Sequence, residues 1–114
     1  MIMNELLEQI KNSMRIRHTA LDSQLLTDID SGALELYRAG VLPYVLDEDG
    51  EIAVDDDGNR EIREDALLRK AIEFYCKMVE SYQDDAPRWT TAFEKLRNAL
   101  SLSGDYRITE NANE

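Results

Sequence analysis

The stretch VLDEDGEIAVDDDGNREIRED, residues 45–65, sets Asp47, Glu48, Asp49, Glu51, Asp55, Asp56 and Asp57 around two Asp-Gly steps. Carboxylates at alternate positions before a glycine are what a calcium loop uses. Its oxygen ligands fall at positions 1, 3, 5 and 12, with Gly at 6 and an apolar residue at 8. With Gly50 at position 6, Asp47, Asp49, Ile52 and Asp56 fall in place, but position 1 is Val45. With Gly58 there, Asp55, Asp57 and Glu64 fit, but position 1 is Ala53 and position 8 is Arg60. Asp47, Asp49, Asp55 and Asp57 are thus weak metal candidates, since each register lacks its first ligand. The better reading is a hairpin with two acidic turns, each glycine taking positive φ.

The remaining reactive residues are few. His18 is the only histidine, with no Ser, Cys or Asp spaced beside it as a relay, so a capping or surface role is expected. Cys76 is the only cysteine and lies in an apolar helical run, which predicts a buried thiol and excludes an intramolecular disulfide. Phosphate loops, HExxH spacing and nucleophile elbows are absent from the sequence. The expectation is a protein that is not an enzyme and holds no cofactor.

Charge narrows the partners. With 24 acidic against 13 basic residues the formal charge is −11, which opposes binding to a phosphate backbone. A negative wall can still keep DNA from adhering as it passes. No apolar run approaches the roughly 20 residues of a membrane span, and MIMNELLEQIKN is amphipathic rather than a signal peptide. A soluble intracellular protein without membrane contact is expected, and 114 residues suit one domain.

Four helices position these residues. Met3, Leu6, Leu7, Ile10 and Met14 recur at helical spacing over 3–16. Thr19 to Asp22 reads as a capping box opening a second helix, whose stripe of Leu25, Ile29, Ala33 and Leu36 runs to a stop at Gly40. Gly32 inside it implies a closely packed neighbour or a bend. Pro43 breaks the helix, and Tyr44-Val45-Leu46 and Ile52-Ala53-Val54 are β-prone runs flanking the first acidic turn. A third helix starts near Glu64-Asp65 and carries Leu68, Ala71, Ile72, Tyr75, Met78, Val79 and Tyr82, widened by Leu67, Phe74 and Cys76. So wide an apolar face predicts a central helix, or one that buries a second face against another subunit. Asp84 to Pro87 opens a fourth helix bearing Trp89, Phe93, Leu96 and Leu100. Tyr75, Tyr82, Trp89 and Phe93 are expected to be helix-helix core. The predicted fold is all-α: a small bundle of about four helices with an acidic β-hairpin, residues 42–63, inserted between the second and third. The helical domain spans 1–107 and a flexible tail 108–114. Leu67, Phe74 and Met78 are assigned to a subunit interface, and Tyr106 with Arg107 are interface-type residues just after the last helix.

The order of segments resembles the head-tail connector proteins of tailed bacteriophages, often labelled putative DNA-packaging or head-completion proteins. The resemblance spans about 4–107. It rests on Met14-Arg15-Ile16, on Arg38-Ala39-Gly40-Val41, on the run from Leu68 to Lys77, and most specifically on LRNALSLSGDYR from Leu96 to Arg107. It implies a non-catalytic helical adaptor of the virion, assembled in the bacterial host cytoplasm. Copies form a ring, a dodecamer by family expectation, below the portal protein; the ring extends the DNA channel and seats a stopper or tail-completion protein. Asp105, Tyr106 and Arg107 inherit portal docking. The long acidic insertion departs from the family, and Asp55, Asp56 and Asp57 would face either the channel or a partner. The alternative is an acidic calcium-binding or DNA-mimic interaction module.

Overall fold

A computed structural model describes residues 3–80 and 85–108. Four helices follow in order: α1 (Met3–Met14), α2 (Asp22–Arg38), α3 (Ala66–Glu80) and α4 (Ala86–Ser101). They form a slab of 46 × 32 × 18 Å. The all-α architecture with four helices stands as the sequence implied. Tyr82 and Asp84 lie outside the described residues.

Each helix is shaped by its apolar stripe. Leu6 and Ile10 of α1, Leu25, Ile29, Ala33 and Leu36 of α2, and Leu68, Ala71, Ile72 and Cys76 of α3 are fully buried in one core. At roughly 25 cal/mol per Å² of apolar surface removed from water, this shared core is the main stabilising term. α3 is the central helix, packing against α1, α2 and α4. Phe74 of α3 stacks on Trp89 of α4 with ring centroids 5.8 Å apart, and Tyr75 meets Phe93 edge-on at 5.4 Å. Much of the wide apolar face of α3 is therefore taken up within the chain.

The helix ends have named causes. α1 closes with Arg15 in the left-handed region (φ 61°), where Ile16 N–H donates to the Lys11 carbonyl at 2.9 Å. A buried Lys11 then pairs with Asp22 at 2.8 Å and holds the start of α2 against the end of α1. The expected Thr19 capping box is not formed: α2 begins at Asp22, and its N-cap Leu21 makes no side-chain cap bond. Only the Thr19 carbonyl takes part, accepting from Asp22 N–H at 3.1 Å. Gly40, at φ 91°, supplies the stop of α2. Gly32 faces Tyr75, so an added Cβ would sit 3.1 Å from that ring. Close packing, rather than a bend, explains this glycine.

The inserted β-hairpin is corrected. Among the described residues there is no strand; the insertion has only isolated antiparallel bridges, Tyr44 with Ile62, Leu46 with Ile52 and Val54 with Arg60. Three short segments meet in a closed cycle: Val45 N–H donates to the Glu61 carbonyl at 3.0 Å, Glu61 N–H to Ala53 at 2.9 Å, and Ala53 N–H to Val45 at 2.9 Å. Between the two acidic turns lie only Ile52, Ala53 and Val54, too few to run alongside a neighbour as a ladder. Each segment therefore donates to one neighbour and accepts from the other over a single residue, without extending into a ladder. Tyr44 and Ile62, both buried, anchor this knot to the core.

Candidate functional site

The two acidic turns share one local design. In the first, Asp47 Oδ1 accepts from the N–H groups of Asp49 and Glu51, both at 2.9 Å, and Gly50 has φ 80°. In the second, Asp55 Oδ1 accepts from Asp57 at 3.0 Å and Asn59 at 2.9 Å, and Gly58 has φ 84°. Asp47 and Asp55 thus spend an oxygen on their own backbone, as aspartate does in turns. Asn59 N–H first, joined by the N–H groups of Met3, Asp57 and Gly58, holds the Asp55 carboxyl below its ordinary range against the opposing effect of desolvation. Among the described residues no three His, Cys, Asp or Glu side chains converge in a way that could hold a metal ion. Asp49 and Asp57 are exposed on the turn rims.

The turns differ in what they touch. Asp55 Oδ2 accepts from Met3 N–H at 3.4 Å, and Asp57 accepts from Asn4 Nδ2 at 3.2 Å, so the second turn caps the positive end of α1 from 52 residues away. Arg60, leaving that turn, makes a bidentate pair with Asp30 of α2 at 2.7 and 3.2 Å and lies 5.4 Å from the Tyr44 ring centroid. Leu26, Thr27, Asp30, Gly58, Asn59 and Arg60 line an open cleft of about 280 Å³. Glu48, Asp49 and Glu51 of the first turn are exposed and make no side-chain contact of this kind among the described residues.

The segment after α4 folds back as a clasp. Val41 bridges Arg107, Leu42 N–H donates to the Tyr106 carbonyl at 2.7 Å, and Ile108 N–H donates to Gly40 at 3.0 Å. The Tyr106 hydroxyl donates to Asp65 Oδ2 at 2.7 Å, while Asp65 Oδ1 caps α3 by accepting from Leu67 and Leu68 at 2.8 and 3.0 Å. Arg63 completes the clasp, donating to the Leu42 carbonyl at 2.9 Å and the Asp105 carbonyl at 3.3 Å, with its guanidinium 5.3 Å from the Tyr106 ring centroid. The hydrogen bond to Asp65 raises the Tyr106 pKa above its ordinary value. Burial pushes the Asp65 pKa up, but the Tyr106 hydroxyl, the two amides and Arg63 outweigh it and leave it lowered. Of the three docking candidates, Tyr106 is turned into the fold, while Asp105 and Arg107 are exposed, as is Leu102 at 80%. Residues 109–114 of the expected tail lie outside the described residues; Ile108 is tied down.

The assigned subunit-interface residues are spread out. Leu67 is exposed at the start of α3, whereas Phe74 is stacked on Trp89 and Met78 is half-buried. His18 is exposed and its Nδ1 accepts from Ala20 N–H at 3.3 Å. Cys76 is buried, and burial drives its pKa far upward, which keeps the thiol protonated.

Sequence reasoning missed several groups. Arg63 and Arg60 are locally unremarkable charges whose partners lie far along the chain. Asp28 of α2 is buried, with Oδ1 accepting from Gln24 at 3.0 Å. Its Oδ2 is buried without a hydrogen-bond partner among the described residues. The nearby Asp28 carboxyl, through hydrogen bonding to protonated Glu80 of α3, and then burial, push the Glu80 pKa up to about 7. Glu73, also buried, keeps its charge instead. Burial raises its pKa, but Ser13, Lys77 at 3.1 Å and Lys70 outweigh that. A cleft of about 350 Å³ at the end of α1, lined by Glu8, Lys11, Asn12, Arg15, Ile16 and Arg17, was also missed, although the close spacing of Arg15, Arg17 and His18 in so acidic a chain was a legible signal.

No protein-family model, curated protein or solved structure matches this chain. Among the described residues no helix is long and apolar enough to cross a membrane.

Proposed function

We propose that this chain is a structural adaptor of the head-tail connector type: copies form a ring below a phage portal, extend the DNA channel and seat a stopper or tail-completion protein in the virion. The observation that carries the reading is the clasp. The segment on which the resemblance is most specific is held in place by Asp65, Arg63 and Tyr106, and Leu102, Asp105 and Arg107 within it are exposed. An exposed large apolar side chain and two exposed charges close in sequence, on a backbone already ordered, are the makeup of a docking anchor with little entropy left to lose. The charge of −11 supports passage of DNA without adhesion.

Binding of the purified chain to rings of the cognate portal protein, read by light scattering, tests this. Leu102→Ser with Arg107→Glu should cut portal binding at least about tenfold while leaving the helical circular dichroism unchanged. Removing residues 104–114 is a poorer test, because it also takes Tyr106 from Asp65 and so alters the cap of α3. A wild-type chain that binds no portal ring would overturn the adaptor reading.

A further inference from the structure

The cleft at the end of α1 is a basic corner on an acidic molecule. Arg15 and Arg17 are exposed and have no side-chain partner among the described residues, whereas Lys11 beside them is paired with Asp22. Arg15 also occupies a left-handed backbone position, φ 61°, at the close of α1. Glycine or asparagine takes that position at least cost, so an arginine there is held against local preference. Two unpaired guanidinium groups, one in a costly conformation, beside an open cleft of about 350 Å³ indicate an acceptor for carboxylates.

The chain carries a matching group. Glu48, Asp49 and Glu51 are exposed on the first turn and have no ion-pair partner among the described residues. The insertion's second turn sits at the N-terminal end of α1, against Met3 and Asn4. The basic cleft lies at the other end, about 18 Å away for a 12-residue helix. Among the described residues the acids of the first turn and the arginines of the cleft form no ion pair with each other within one chain.

We propose that the basic corner formed by Arg15 and Arg17 receives the acidic turn Glu48–Glu51 of a second copy of this chain. Because the two surfaces are different, the contact is head-to-tail, and its repetition adds one copy after another until the rotation closes. This specifies the self-assembly part of the adaptor reading and rests on it.

The test is a charge exchange on the full chain, followed by sedimentation at high concentration. Wild type should self-associate at about 50 mM salt and weaken at about 500 mM, since the paired groups are exposed and screened. Arg15→Glu with Arg17→Glu, and separately Glu48→Lys with Asp49→Lys, should each weaken association at least about tenfold by setting like charges together. An equimolar mixture of the two variants should regain it, because each then offers the other a complementary turn and corner. Arg15→Gly supplies a second readout: higher thermal stability from the relaxed backbone with weaker association. Variants that assemble like wild type, a mixture that stays dissociated, or a monomeric wild type would each overturn this contact. Portal binding of the same variants is scored separately, so loss of the contact with portal binding kept leaves the adaptor reading in place.

Discussion

The turns Asp47–Glu51 and Asp55–Asn59 are nearly the same object in different surroundings. Each has an aspartate accepting two backbone N–H groups and a glycine near φ 80°. The second is tied to α1 through Asp55 and Asp57 and to α2 through Arg60, while the first carries its spare carboxylates into solvent. Equal local chemistry thus yields a structural brace in one place and an available surface in the other. Counting acids along the stretch could not separate these roles.

The largest effect on this comparison should come from Arg60→Ala. It removes a bidentate pair and a cation-π contact and leaves Asp30 unpaired, so a loss of about 1–2 kcal/mol in urea unfolding is expected. A cost near zero would mean that the second turn is as free as the first. Gly50→Ala and Gly58→Ala should each cost about 1 kcal/mol, and the two costs should agree, because both arise from positive φ. A clear inequality would show that tertiary contact, and not the turn, fixes one of them. Asp55→Ala should lower the urea midpoint more than Asp47→Ala, since only Asp55 also meets α1. Reversal of that order would remove the bracing role.

The smallest effect is on pH dependence and belongs to the helical body. Glu80 titrates at about 7 in the fold and near 4.5 when unfolded, so between those values the folded chain retains a proton that the unfolded chain has released. Stability from this pair is therefore full below about 4.5 and is lost as pH rises to about 7. Asp65 and Glu73, both lowered, act in the opposite sense and withdraw stability as pH falls below their ordinary values. Glu80→Gln should flatten the decline between pH 4.5 and 7, because the amide donates to Asp28 without titrating. An unchanged slope in urea midpoints would place the titration elsewhere.

Much of the helical body was legible because its signals are local. The stripe Leu25, Ile29, Ala33 and Leu36 follows from a 3.6-residue period, and Gly40 marks a left-handed stop that few other residues tolerate. Thr19 shows where such reading fails: a cap-like pattern was present, but the pull of Lys11 on Asp22 coincides with a helix start beyond it. The hairpin failed for a related reason, since β-prone runs specify extended chain but not how many partners they meet.

The sequence by itself determined four amphipathic helices, two aspartate-glycine turns and a surplus of negative charge, because periodicity, positive φ and ionisation are properties of neighbouring residues. Only the tertiary structure decided that Gly32 makes room for Tyr75, that Arg60 finds Asp30, and that Tyr106 turns inward to Asp65. These pairs lie from 30 to 43 residues apart, and their contacts leave no mark in either local sequence. A similar distance in sequence separates the exposed acids of the first turn from Arg15 and Arg17 at the end of α1, which is why nothing local in the sequence relates the two groups.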